Sequence, residues 1–256
     1  MARYRFRQVR LHVDAALSPG ASVALQKDQL HYLVSVMRLG PGAEILVFNG
    51  RDGEWTATLS EASKKRGLLT IENCLRPQTP ASRLDYCFAP LKQARLDYMV
   101  QKATEMGAGR LRPVLTQHGQ VSRVNTDRMR ANAIEACEQC GVLSVPEICQ
   151  PEPLAAFLDS WPVDNPDGLI LFCDEAAPTD DPLTILSALA PGALALLIGP
   201  EGGFSTAERE QLLAMPSVRA IPLGPRILRA DTAAVAALAL VQATLGDWQA
   251  PETPTP

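Results

Sequence analysis

The chain has 256 residues, room for one large domain or for two at the usual size of about 100–200 residues each. With 46% hydrophobic and 20% charged residues it can bury a substantial core, which excludes a generally disordered chain. The net charge of −4 hides a division: 20 basic residues stand against 11 acidic ones up to residue 130, and 4 against 17 beyond it, balances of +9 and −13. A basic half in an acidic chain fits a localised nucleic-acid surface, because phosphate is neutralised by clustered cations and not by overall pI. Charge alone fits a solvated basic face equally well.

The opening MARYRFRQVRLHVD carries scattered charge and no apolar run. No signal peptide, membrane span or membrane partner is therefore expected, and residence is read as cytoplasmic. The helix DQLHYLVSVMRL (28–39) is expected to turn Leu30, Leu33, Val34 and Met37 inward and to stop at Gly40, Pro41 and Gly42. Strands follow at 43–50, 54–63 and 67–75, joined by the hairpin turns NGRDG and KKRG, a pattern that suggests a small barrel. RPQTPAS (76–82) has no periodicity and reads as a linker. The predicted organisation is a barrel over 1–75, the linker, a second domain over 83–247 and a frayed tail over 248–256.

Beyond the linker, strand 84–91 leads to an amphipathic helix at 95–107 with Leu96, Met99, Val100 and Ala103 inward. A strand at 110–116, a helix at 126–141 and strands at 145–149, 168–176, 193–199 and 217–224 continue the alternation, which predicts an α/β domain on a parallel sheet. The last helix, Ala230 to Leu245, is Ala-rich and apolar on most faces, so burial is expected. Cys137 and Cys140 form a lone CxxC without a second ligand pair, so they read as structural and no metal is expected. His12, His31 and His118 stand apart from one another and from paired acids.

Two turns carry the chemistry. IGPEGG (198–203) lies between strand ALALL and helix TAEREQLLAM, and LGPRILRADTA (223–233) lies between strand RAIP and the last helix. Both fall at carboxyl ends of strands, where open α/β sheets bind ligands. Neither has the GK[ST] of a P-loop, the GxGxxG of a dinucleotide site or the GxSxG of a hydrolase elbow. Their apolar neighbours Leu197, Ile198, Leu223, Ile227 and Leu228 suit a flat base better than a triphosphate, which needs more fixed positive charge.

These two turns ahead of a terminal apolar helix resemble the SPOUT methyltransferases of the RsmE type, which methylate uridine N3 in 16S ribosomal RNA. HYLVSVMRLGPGAEILVFNG resembles that family's PUA-like RNA-binding barrel, KQARLDYMVQKATEMGA its first catalytic-domain helix, and EACEQCG with VPEI its middle segment. The resemblance implies a SPOUT α/β trefoil-knot methyltransferase domain behind a small PUA-like β-barrel. It also implies S-adenosyl-L-methionine as methyl donor, a homodimer, and 16S ribosomal RNA or the small ribosomal subunit as partner. Carried over by position, the cofactor pocket takes Leu171, Ile198, Gly199, Pro200, Glu201, Gly202, Gly203, Leu223, Gly224, Ile227 and Leu228.

Uridine N3 is weakly acidic, so its methylation needs a proton acceptor and a group that stabilises negative charge on the flanking carbonyl oxygens. Arg229 is assigned to the charge, and Glu201 or Asp231 to the proton. An Arg229–Asp231 ion pair at a helix start is the structural alternative. For RNA the candidates are Arg3, Arg5, Arg7, Arg10, Arg38, Lys64, Lys65, Arg66, Lys92 and Arg95, with Tyr4 and Phe6 interleaved in the first group. The sequence departs from the family pattern at Val142, at TQHG (116–119) in place of TxRS, and at Asp231 in place of Glu. A SPOUT enzyme acting on a ribose 2′-hydroxyl or a transfer RNA base, and a noncatalytic RNA-binding assembly protein, are the competing readings.

Overall fold

A computed structural model describes residues 8–63, 66–177, 181–190 and 192–249. Two units emerge. One gathers the chain up to Pro80 with Cys137–Val145, and the other takes Ala81–Ala136 and the chain from Pro146 onward.

In the first unit β1 (Arg10–His12), β2 (Ser22–Ala24), β3 (Glu44–Phe48), β4 (Glu54–Ala62) and β5 (Gly67–Arg76) form one sheet in the order β1-β3-β4-β5-β2. β1 runs parallel to β3, and the other pairs are antiparallel. Alternate residues point to one face, so Ile45 with Val47 and Leu69 with Ile71 meet Leu11, Val23 and Leu33 in one core. The hairpin between β4 and β5 is closed by the Ser63 N–H donating to the Arg66 carbonyl at 2.8 Å. The two three-residue strands are too short to show a period and were not expected from sequence.

The helix expected over 28–39 is a single α-turn, α1 (Lys27–Leu30), followed by a π-helical stretch His31–Val36. Widening the helix shifts each side chain off the 3.6-residue stripe. Leu30 and Leu33 stay buried while Met37 is exposed. Arg38, at φ 57, occupies the left-handed position usually given to Gly, and the Leu39 N–H reaches the Leu33 carbonyl at 2.9 Å to close the helix end.

Arg76, expected to open the linker, is the last residue of β5; its guanidinium grips Glu54 at 2.7 Å and donates to the Gly141 carbonyl. Cys137 packs with Phe48 and Leu143, and burial pushes its thiol up to about 12. Segment 137–145 thus serves the first unit, an arrangement that a division of the chain into consecutive stretches does not anticipate.

The second unit is a seven-stranded parallel sheet. Its strands are β6 (Leu84–Phe88), β7 (Arg110–Leu115), β8 (Glu147–Ile148), β9 (Glu152–Pro153), β10 (Leu169–Cys173), β11 (Leu194–Ile198) and β12 (Val218–Ile221). The order is β12-β10-β11-β6-β7-β8, with β9 beside β7. Around it lie α2 (Gln93–Glu105), α3 (Thr126–Cys140), α4 (Leu154–Asp164), α5 (Pro182–Ser187), α6 (Thr206–Ala214) and α7 (Ala230–Thr244).

Both faces of this sheet are covered, as parallel strands require. Leu194, Leu196 and Ile198 join α2 and α7 in one core, while Ala195 and Leu197 join α4 and α6 in another. α4 was not anticipated, because Pro162 and the DNPDG that follows hide its apolar stripe Leu154, Phe157, Leu158 and Trp161. α7 fully buries one stripe only, Ala234, Ala237, Leu238 and Val241 with Gln242. Val235, Ala236 and Ala239 remain partly exposed, so the burial expected of the whole helix holds for one face.

Asp85 sits under this architecture at 1% exposure. It accepts from Arg110 Nε at 2.7 Å, Arg112 Nε at 3.0 Å and Trp161 Nε1 at 2.9 Å, and Arg112 also reaches Glu152 at 2.9 Å. One carboxylate therefore fastens β6 to β7 and α4. At the other core, Gln242 donates to the Met106 carbonyl at 2.6 Å and accepts from the Asp247 N–H, fixing the end of α2 to the end of α7.

Candidate active site

The carboxyl ends of β10, β11 and β12 open into one cavity of about 890 Å³, within the range of small-molecule sites. The two motif turns form its walls. After β11, the Gly203 N–H donates to the Pro200 carbonyl at 2.9 Å, making a tight turn with Gly203 at φ 70. Gly199 is constrained differently: a Cβ there would lie 2.5 Å from the Phe204 ring, which packs edge-on against Phe172. Only hydrogen fits between that strand end and that ring. In the second turn Gly224 stands at φ 88.

α6 anchors the first turn. Ser205 and Glu208 cap the helix reciprocally, the Ser205 N–H donating to Glu208 Oε2 at 2.8 Å. The other carboxylate oxygen of Glu208 accepts from the Gln117 N–H at 2.7 Å, and His118 Nδ1 lies 3.3 Å from the Gly202 carbonyl. The TQHG segment after β7 is thereby held against the glycine turn.

Of the residues assigned to the cofactor, Ile198, Gly199, Pro200, Glu201, Gly203, Leu223, Gly224, Ile227 and Leu228 line the cavity. Leu171 does not; its side chain is wholly buried in the core, and β10 reaches the cavity through Phe172, Cys173 and Asp174 instead. Gly202 lies outside the lining as well, against His118. Asp174 and Glu175 also line the cavity, as an acidic wall that neither motif turn points to, although their place just past strand LILFC is a usable signal. Asp174 is buried and is held by Arg209, with Nη2 to Oδ2 at 2.8 Å. Burial also pushes the Cys173 thiol far up, so it contributes surface and no nucleophile.

Arg229 is the N-cap residue of α7 and lines the cavity, exposed. Its guanidinium has no hydrogen-bond or ion-pair partner among the described residues. The alternative of an Arg229–Asp231 pair is therefore not what forms. Asp231 accepts from the Thr232 N–H at 2.8 Å, and its other oxygen lies 3.9 Å from Arg95 Nε. Arg95 also pairs with Glu201. A residue assigned to RNA contact thus sits between the two acids. Glu201 lines the cavity; Asp231 does not.

The remaining basic candidates divide. Arg3, Arg5, Arg7, Lys64 and Lys65, with Tyr4 and Phe6, lie outside the described residues. Arg10 has to be withdrawn as an RNA contact: its side chain is buried, bonded to Glu54 at 2.6 Å and to the Glu138 carbonyl at 3.1 Å. With its side chain 5% exposed and paired to a buried carboxylate, Arg10 is not placed at the surface where a phosphate could reach it. Arg38 and Lys92 are exposed, and Arg66 is exposed beside Glu61 at 3.4 Å.

The walls describe what the cavity accepts. Apolar side chains and peptide groups on glycine turns suit a flat heterocycle, the acids suit a cationic group, and a guanidinium without a partner among the described residues suits an electron-rich one.

Comparison with known proteins gives the same outline. The RNA methyltransferase domain family matches residues 77–242, and the RNA methyltransferase PUA domain matches 25–72, so a PUA-like unit precedes a SPOUT-like α/β core. Ribosomal RNA small subunit methyltransferase E of Rickettsia conorii is 31% identical, across 91% of this chain and 94% of the relative. The enzyme of that name from Neisseria gonorrhoeae, solved bound to S-adenosyl methionine, is 28% identical with a TM-score of 0.80, covering 94% of this chain and all of the other. A Legionella pneumophila methyltransferase solved with bound SAM is 30% identical, also at a TM-score of 0.80, over 94% of this chain and 99% of that one. With a domain match over more than half its length and such identity along nearly all of it, the chain belongs to the ribosomal RNA small subunit methyltransferase E family.

Proposed function

We propose that the protein transfers a methyl group from S-adenosyl-L-methionine to N3 of a uridine in 16S ribosomal RNA, on the small subunit or its RNA. The observation that carries the reading is the rim of the cavity, where Glu201 and the unpartnered Arg229 face the same space. The cofactor fits the walls chemically: its adenine suits Ile198, Leu223 and Leu228 with the peptide groups of the two turns, and its cationic groups suit the acidic side at Glu175. When bound it supplies a methyl carbon activated by positively charged sulfur.

The chain's own groups do the rest. Glu201 is the better placed acceptor, because it borders the cavity whereas Asp231 has one oxygen committed to the start of α7. The N3 proton passes to the Glu201 carboxylate, the nitrogen electron pair forms the new N–C bond, and the C–S pair returns to sulfur. Arg229 donates to a carbonyl oxygen flanking N3, where negative charge gathers in the transition state. Removal of such a donor typically lowers kcat about 10²–10³-fold. Arg229→Ala should thus abolish measurable transfer while calorimetry shows cofactor binding largely intact.

The partly exposed face of α7, Val235, Ala236 and Ala239, supports a homodimer in which a second copy covers these residues. Exposed Arg38 and Lys92 support the RNA surface. Labelled methyl transfer tests the substrate: unmodified small subunits should accept label and transfer RNA should not, and label on transfer RNA alone would overturn the reading.

A further inference from the structure

We propose that Arg95 is the positioning residue of this site, a single cation that holds Glu201 and Asp231 in register across the two glycine turns. The proposal rests on the methyl-transfer reading above. Arg95 lies in the first turn of α2, beside buried Leu96, and that helix is fixed into the core through Met99, Val100 and Ala103. Its far end is clamped to α7 by Gln242 on the Met106 carbonyl. At the near end Arg95 Nη1 pairs with Glu201 Oε1, and Nε lies 3.9 Å from Asp231 Oδ2. α2 and α7 therefore run side by side, joined at both ends.

Glu201 belongs to the turn after β11, and Asp231 to the helix start after the second turn. Two carboxylates brought together unaided repel. A guanidinium between them, with its fork of donors, offsets that repulsion and fixes their orientation. Glu201 Oε1 is held by Arg95, while Oε2 has no partner among the described residues and is the atom left to accept a proton. Exposure of the Arg95 and Glu201 side chains is 38% each, so the pair contributes orientation more than stability.

Steady-state kinetics on small-subunit RNA separates this role from a phosphate contact. Arg95→Ala should lower kcat by about a hundredfold, the loss expected when a reacting group is displaced by about 1 Å. The KM for RNA and the calorimetric Kd for S-adenosylmethionine should stay near wild type. Arg95→Lys keeps the charge without the fork and should recover part of the loss. A raised KM with unchanged kcat would show a phosphate contact and overturn the proposal, as would wild-type kinetics in Arg95→Ala. Should Arg95→Ala fail to fold, Arg95→Lys decides: reduced kcat at unchanged KM supports the role, and wild-type kcat overturns it. A wild-type enzyme with no turnover defeats the methyl-transfer reading and this role with it, whereas active wild type beside an unaffected variant defeats the role alone.

Discussion

Gly199→Ala probes the cavity with one methyl group. Gly199 directly follows β11, and its new Cβ would lie 2.5, 2.9 and 3.2 Å from three carbons of the Phe204 ring. The ring cannot retreat freely, because it packs edge-on against buried Phe172 at a centroid distance of 5.1 Å. Either the strand end shifts or Phe204 turns into the cavity it lines. Overpacking of this kind costs about 1–3 kcal/mol. At about 2–4 °C per kcal/mol for a chain of this size, the melting temperature should fall by several degrees. A displaced ring also takes space from the ligand, so calorimetry should show cofactor affinity reduced by roughly tenfold or more, about 1.4 kcal/mol. Unchanged Kd and melting temperature would refute the steric argument.

Asp85→Ala should destabilise the second unit by about 3–5 kcal/mol, since it strands the buried Trp161 donor and takes a buried carboxylate from half-buried Arg110 and Arg112; denaturant unfolding that moves by less than about 1 kcal/mol would contradict this. Arg10→Ala should lower stability and leave the salt dependence of RNA binding unchanged, and a flatter slope would restore Arg10 as a phosphate contact. Acid should weaken the fold. Burial alone would raise the Glu54 carboxyl, but hydrogen bonds from Arg76 and Arg10 outweigh it and hold it below the ordinary range, and Arg128 does the same for Asp97. These groups add stability above the ordinary carboxylate pKa of about 4, and lose it as pH falls through their depressed values. Urea unfolding between pH 7 and pH 3 should show that decline, less steeply in Glu54→Gln; a flat profile would count against it.

How much of this was legible in the sequence depended on how local each feature is. The two ligand turns could be read because glycine and proline announce their geometry within a few residues, and Gly203 and Gly224 do adopt the left-handed backbone that only glycine takes readily. The parallel sheet could be read because β10 and β11 are continuous apolar runs covered on both faces. Partnership between distant residues could not. Nothing near Arg10 or Arg95 distinguishes a cation gripping a carboxylate from one reaching for phosphate. Glu54 is 44 residues from Arg10, and Glu201 is 106 from Arg95. The π-helical stretch after Leu30 was equally hidden, since HYLVSVMRL satisfies an α-helical stripe until the widened turn exposes Met37.

Methylation of N3 in small-subunit RNA is the claim on which the site assignments converge. It is tested most directly by mass spectrometry of nucleosides from that RNA, purified from cells with the gene, without it, and complemented by Arg229→Ala. The account predicts 3-methyluridine in the first and its loss from the other two. Undiminished 3-methyluridine without the gene, or loss of a different modification, would contradict it.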